Sequence, residues 1–281
     1  MDFLFQGAHF TIEAHAGHQR LLHIQLKEKA LQTFLEATKA MTEQHLSYVP
    51  YLRLIAADTL NTVLGDHFSD RVQGIVLDRA TGGFTLSVEQ ALTLDQQVAL
   101  GTAISHLIGI PNFDDMTNKF YAIFEVRDTD TSDSYLRQAY RLFTLHTDGT
   151  YVTEPTHWIL MMKITEVHAK GGESRLLHLD DWEDLDRFSK DPLANYAFDY
   201  KSPPSKNYAK TVKKTTFFER NGHPCVCFID QFVYPETIAE AKYLNDLSAS
   251  MEASSATVEL PLPINHLVVL NNDFWLHGRA P

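Results

Sequence analysis

The sequence predicts an α+β fold, with a jelly-roll core of short strands and flanking helices. Three observations lead there. The first hundred residues carry apolar positions at helical spacing, whereas from Phe120 onward short segments of strand type dominate. Polar side chains able to bind a metal end two of those segments, which suits a jelly roll whose mouth holds an ion.

In chain order, Leu31, Phe34, Leu35, Thr38 and Met41 keep a helical period. So do Leu92, Ala99, Leu100, Ala103, Ile104, Leu107 and Ile108. Between them, Gly74-Ile75-Val76-Leu77 reads as a strand. Further strands are expected at 121–126, 141–146, 158–164, 176–179, 215–219 and 225–229. Helices interrupt them at 181–189 and at about 235–251, the second with Pro235 near its first turn. Lys201-Ser202-Pro203-Pro204-Ser205-Lys206 is a loop, and no repeat or low-complexity tract occurs.

At 281 residues and 44% hydrophobic content, the chain can bury one substantial core, so a single domain is expected. The net charge of −12 argues against nucleic acid or an anionic membrane as partner. No apolar run approaches the length of a membrane span. Cys225 and Cys227 lie two apart on one strand face and cannot sensibly bridge each other. Two cysteines without a secretory segment at the amino end fit a reducing cytoplasm.

The chemistry concentrates in His146-Thr147-Asp148-Gly149-Thr150, answered far downstream by His277 in Phe274-Trp275-Leu276-His277-Gly278-Arg279. Two imidazoles and one carboxylate on one face of a metal leave the opposite positions open, the arrangement of non-haem Fe(II) oxygenases. The short motif proves little, because composition alone predicts about two His-x-acid triplets. The chain has two, and the second is His178-Leu179-Asp180. Asp180 opens an acidic stretch ahead of an apolar run and reads as a helix-capping residue. His146 instead closes an alternating segment with Tyr140, Leu142 and Thr144 on its face, and Gly149 lets the chain turn. Residues i and i+2 of a strand share a face, so His146 and Asp148 can converge on one ion. His277 shows matching geometry: a strand-type run at Leu267, Asn271-Asn272-Asp273 as a turn signal, then Trp275, His277 and Arg279 on one face.

These segments resemble a known family. Ser132-Asp133-Ser134-Tyr135-Leu136-Arg137-Gln138, Leu145-His146-Thr147-Asp148-Gly149-Thr150-Tyr151-Val152, Leu160-Met161-Met162-Lys163-Ile164 and Leu177-His178-Leu179-Asp180-Asp181-Trp182-Glu183 are similar to the bacterial glutarate 2-hydroxylase family, also called CsiD or Gab protein. Asp230-Gln231-Phe232-Val233 and the His277 segment extend the resemblance, which covers roughly 101–279 and is weak before it. It implies a clavaminate synthase-like double-stranded β-helix and an Fe(II)- and 2-oxoglutarate-dependent dioxygenase. That enzyme would consume O2 and hydroxylate glutarate to 2-hydroxyglutarate while 2-oxoglutarate becomes succinate and CO2. The metal ligands and catalytic residues would be His146, Asp148 and His277. A cytoplasmic homotetramer in lysine degradation is also implied. On this reading 1–281 is a single oxygenase domain, with a mainly helical part at 1–110 and the β-helix core at 111–281.

Binding 2-oxoglutarate needs more than iron, because its distal carboxylate must meet donors deep in the barrel, normally an arginine assisted by a hydroxyl. Gly171-Gly172-Glu173-Ser174 resembles the segment that supplies this hydroxyl in related oxygenases, which assigns Ser174 to the cosubstrate. Arg279 shares the face of His277 and is the second candidate for binding the cosubstrate. Arg137 and Arg141 are candidates for the substrate dicarboxylate. In the family the distal-carboxylate arginines lie on a strand after the second histidine, so a C-terminal strand bearing them is expected beyond Pro281. Other readings leave the metal ligands in place. They are an oxygenase acting on another small carboxylate, a metal-dependent hydrolase or isomerase using an activated water, and a truncated, non-catalytic metal-binding jelly roll.

Overall fold

In the computed structural model the described residues are 3–112, 119–126, 138–202 and 211–281. Of the four sheets they form, two organise the fold. The larger has six strands in the order Phe5–Gln6, Phe10–Ala14, Leu22–Leu26, Gly83–Ser87, Leu267–Asn271, Trp158–Met162. The smaller is wholly antiparallel, in the order Val258–Leu260, Ser174–His178, Trp275–Arg279, Phe143–His146.

Burial explains the layering. Along Leu267–Asn271, Leu267 and Val269 pack into one cluster with Phe34, Leu60, Phe68 and Leu100 of the helices. Val268 and Leu270 point the other way, into a second cluster with Leu145, Leu176, Leu177, Trp275 and Leu276 of the small sheet. A strand covered on both faces reads as a continuous apolar run, which is why this segment shows no alternation. The helices that carry Phe34, Leu60, Phe68 and Leu100 therefore lie on one side of the large sheet and the small sheet on the other. Helix Ile238–Glu252 adds Leu244, Leu247 and Met251 to the second cluster.

Several elements differ from expectation. Gly74–Leu77 is not a strand but the end of helix Phe68–Leu77, where Phe68, Val72, Ile75 and Val76 are buried at helical spacing. Four apolar residues in a row cannot distinguish the two periods, and the helix is set by packing. Residues 121–126 form no strand, and Ile123, Phe124 and Val126 are exposed. The segment expected at 215–219 is broken at Thr216, whose buried hydroxyl bonds Ala194 O and Tyr243 Oη. The halves Thr211–Thr215 and Phe217–Arg220 join different partners. Asn221 and Gly222, both at positive φ, close a tight hairpin to His223–Val226, as an Asn-Gly pair favours. The last long helix starts behind Thr237, whose hydroxyl accepts from Glu240 N at 3.1 Å, so Pro235 lies outside it. Leu22–Leu26 and Gly83–Ser87 pair in parallel, which requires a crossover, and the intervening helices provide it.

Candidate metal centre

His146 ends its strand directly opposite His277, and the two rings lie 4.2 Å apart between centroids. The register slips between His277 and Arg279, a β-bulge that leaves one residue of the His146 strand without a ladder partner. Glu252, at the end of helix Ile238–Glu252, meets that strand: its Oε1 accepts from Leu145 N at 2.5 Å and its Oε2 from Arg175 at 2.6 Å. Gly278 permits the close approach, since a Cβ there would stand 2.5 Å from Phe143 O.

The chain leaves the sheet after His146 and turns at Gly149, at φ +76°. Asp148 thus sits at the rim with its side chain 54% exposed, its Oδ1 3.9 Å from His146 Nε2 and its Oδ2 3.5 Å from His277 Nε2. One donor atom from each of the three lies within 4.8 Å of the others. Cis donors around a six-coordinate ion with bonds of about 2.1 Å are about 3 Å apart, so a small contraction would close the set.

The imidazoles suit the task. His146 is 1% exposed, and its Nδ1 donates to Thr144 O at 2.7 Å. A carbonyl can only accept, so the neutral ring presents the Nε2 lone pair toward Asp148 and His277. Burial first, and then the neighbouring His277, push the His146 pKa down to about 3 against the pull of Asp148 and Thr144. The ring is therefore deprotonated at neutral pH, as a ligand must be.

The second triplet is built otherwise. His178 Nε2 donates to Arg79 O at 3.0 Å and its Nδ1 accepts from Asp180 N at 3.1 Å, so both nitrogens are engaged within the fold. Asp180 does not cap a helix with its carboxylate. Its oxygens take Arg79 Nε at 3.0 and 3.1 Å and a terminal guanidinium nitrogen at 2.5 Å. Arg20 holds Asp181 in the same way, at 2.6 Å through each of two nitrogens.

Ser174 and Arg279 are register partners on adjacent strands, two residues along from the Leu176–His277 pair. Paired residues share a sheet face, so both lie on the side of His277. Arg279 donates to Gln138 O at 2.9 Å, packs over Phe143, and has its pKa lowered by burial. Arg141 is exposed just before the His146 strand, and Arg137 lies outside the described residues. Cys225 is buried, Cys227 half-buried, and both are unbridged, with thiols pushed up to about 11 by burial.

Sequence reading missed the residues that fix the rim. Thr147 N donates to Phe228 O at 2.8 Å and its hydroxyl accepts from Phe228 N at 3.0 Å. Lys214 donates to Gly149 O at 2.7 Å. Asn272, read as a turn residue, bonds both backbone groups of Asp148. No sequence signal marks Lys214 or Glu252, because each reaches the site across at least 65 residues.

Comparison with known proteins agrees with this architecture. A glutarate 2-hydroxylase from Citrobacter koseri is 41% identical over 279 residues, covering 97% of this chain and 85% of that protein. Among solved structures, an asparagine oxygenase in complex with Fe(II), 3-hydroxyasparagine and succinate superposes with a TM-score of 0.72 at 14% identity, over 92% of this chain and 87% of that one. The non-haem iron oxygenase OrfP with Fe and α-ketoglutaric acid gives a TM-score of 0.70 at 14% identity, over 92% and 88% of the two chains. At such identity these two share the fold, a mixed arrangement of helices and sheets. The model of the CsiD family matches residues 10–281, and the chain belongs to that family.

Proposed function

We propose that this protein is an Fe(II)- and 2-oxoglutarate-dependent dioxygenase that hydroxylates glutarate to 2-hydroxyglutarate and releases succinate and CO2. The observation that carries the reading is the convergence of His146, Asp148 and His277, in a chain 41% identical to a glutarate 2-hydroxylase. The two facing sheets are read as a double-stranded β-helix of clavaminate synthase type, with the three ligands at its mouth.

His146 and His277 would hold the ion through Nε2 and Asp148 through its carboxylate, leaving open positions opposite. Bound there, iron supplies the activation of O2 that side chains cannot. The protein's share is binding and orientation. Ser174 and Arg279, side by side on the face of His277, offer a hydroxyl and a guanidinium to the distal carboxylate of 2-oxoglutarate. Arg137 and Arg141 are assigned to the substrate dicarboxylate. Such cations are required, because a chain of net charge −12 repels dianions on average. The family reading extends to a cytoplasmic homotetramer in lysine degradation.

The test is anaerobic addition of Fe(II) and then 2-oxoglutarate, with a visible charge-transfer band expected, followed by glutarate-dependent succinate formation in air. Ser174→Ala should weaken 2-oxoglutarate roughly ten- to a hundredfold, the loss of one bond to a charged group of about 1.5–3 kcal/mol, with Fe(II) affinity unchanged. Turnover without 2-oxoglutarate would favour the metal-activated water instead. Succinate formation driven by another small carboxylate but not by glutarate would redirect the substrate.

A further inference from the structure

We propose that Asn272 is a positioning residue for Asp148, holding the carboxylate ligand in place by clamping its backbone from the segment that leads into the His277 strand. The proposal rests on reading His146, Asp148 and His277 as metal ligands.

Asp148 poses a physical problem. The strand ends at His146, so the residues that follow have no ladder to satisfy their backbone groups. The side chain is 54% exposed, so packing cannot orient it either. A ligand in that position gains its geometry only if its Cα is fixed, since two side-chain torsions then decide where its oxygens fall. Asn272 supplies the fixation. Its Oδ1 accepts from Asp148 N at 2.9 Å and its Nδ2 donates to Asp148 O at 3.0 Å. Its Nδ2 also donates to Thr156 O at 2.7 Å, and its own N–H donates to His157 O at 2.8 Å. At 4% exposure the amide is well shielded from competing water.

The position of Asn272 in the chain gives the clamp its meaning. It stands five residues before His277, whereas Asp148 stands two after His146, so one amide ties together the segments that bring the carboxylate and the second imidazole. The neighbours of Asp148 are pinned independently, Thr147 to Phe228 and Gly149 to Lys214. Asn272 bonds both Asp148's own amide and its carbonyl. A turn residue chosen for conformation would need neither bond.

The experiment is a Co(II) titration of the metal-free protein, followed by equilibrium dialysis and by the visible spectrum, without 2-oxoglutarate. Asn272→Ala should weaken Co(II) ten- to a hundredfold, the range found when groups that orient metal ligands are removed. In an Asp148→Ala background, which keeps both imidazoles, the same change should alter affinity by less than about twofold, because the carboxylate it positions is gone. Equal weakening in both backgrounds would mean a general structural role and overturn the proposal. The near-isosteric Asn272→Asp keeps the acceptor for Asp148 N and loses the donated bonds. It should retain the wild-type circular dichroism spectrum and weaken Co(II) less than Asn272→Ala does, and wild-type affinity in both variants would also overturn the proposal. If Asp148→Ala itself leaves Co(II) binding intact, the metal-site reading fails and takes the role of Asn272 with it.

Discussion

Two His-x-Asp triplets flank the same strand of the small sheet, and their local chemistry is alike in almost every respect that sequence can record. His146 and His178 each end a strand, each is 1% exposed, and burial pushes each pKa down to about 3. What differs is the residue opposite. His146 faces His277, whereas His178 faces Trp275. The second nitrogen completes the distinction: His146 spends one nitrogen on its own strand, while His178 spends both, on Arg79 and Asp180. Burial and a depressed pKa therefore do not identify a ligand. An uncommitted lone pair beside other donors does.

The largest expected effect breaks the comparison outright. Replacing His146, Asp148 or His277 with Ala should abolish iron-dependent turnover and greatly weaken Fe(II) binding, with little change in the circular dichroism spectrum. His178→Ala should retain full metal content. Iron measured by elemental analysis checks both, and comparable loss in His178→Ala would mean that the second triplet, not the first, serves the metal.

The same variant should fail in the other direction. His178→Ala removes two partly buried hydrogen bonds and leaves Arg79 O and Asp180 N to find new partners, which costs about 1–3 kcal/mol of unfolding free energy. His146→Ala without metal leaves one orphan, Thr144 O, and should cost less. Urea unfolding of the metal-free proteins ranks them, and the reverse order would undo the assignment of His178 to the scaffold.

The smallest effect is on acid stability. Both imidazoles have folded pKa values near 3 against an ordinary value of 6.5, so the unfolded chain binds protons more readily than the folded one between those limits. Their contribution is complete above about pH 6.5 and is lost as pH falls toward 3. Metal-free His178→Gln should therefore lose stability less steeply than wild type across that window. Identical slopes would show that His178 is not held neutral by the fold.

Legibility followed range. Asp148 next to Gly149, and the alternation of Trp275, His277 and Arg279, could be read because strand period two and a positive-φ glycine act locally. The helix over 94–108 could be read for the same reason, its capping box closed between Thr93 and Gln96. Gly74–Leu77 could not, since four apolar residues fit either period until Phe68 and Val72 join them on the buried face of a helix. The hairpin at Asn221-Gly222 was legible in principle, because that pair favours positive φ at both positions.

By itself, then, the sequence determined the residue types and their faces. The His-x-Asp spacing marked His146 and Asp148, a glycine let the chain turn, and motif order pointed to His277. Which triplet meets a third donor, which aspartate is locked by an arginine, and which asparagine holds a ligand were decided only by tertiary structure. Each depends on a register or a contact between segments tens to more than a hundred residues apart, as in His277 opposite His146, Arg79 on Asp180 and Asn272 on Asp148. Local propensity carries no information about such pairings, because they are fixed by the burial of both faces of the large sheet and by the need of every buried polar group for a partner.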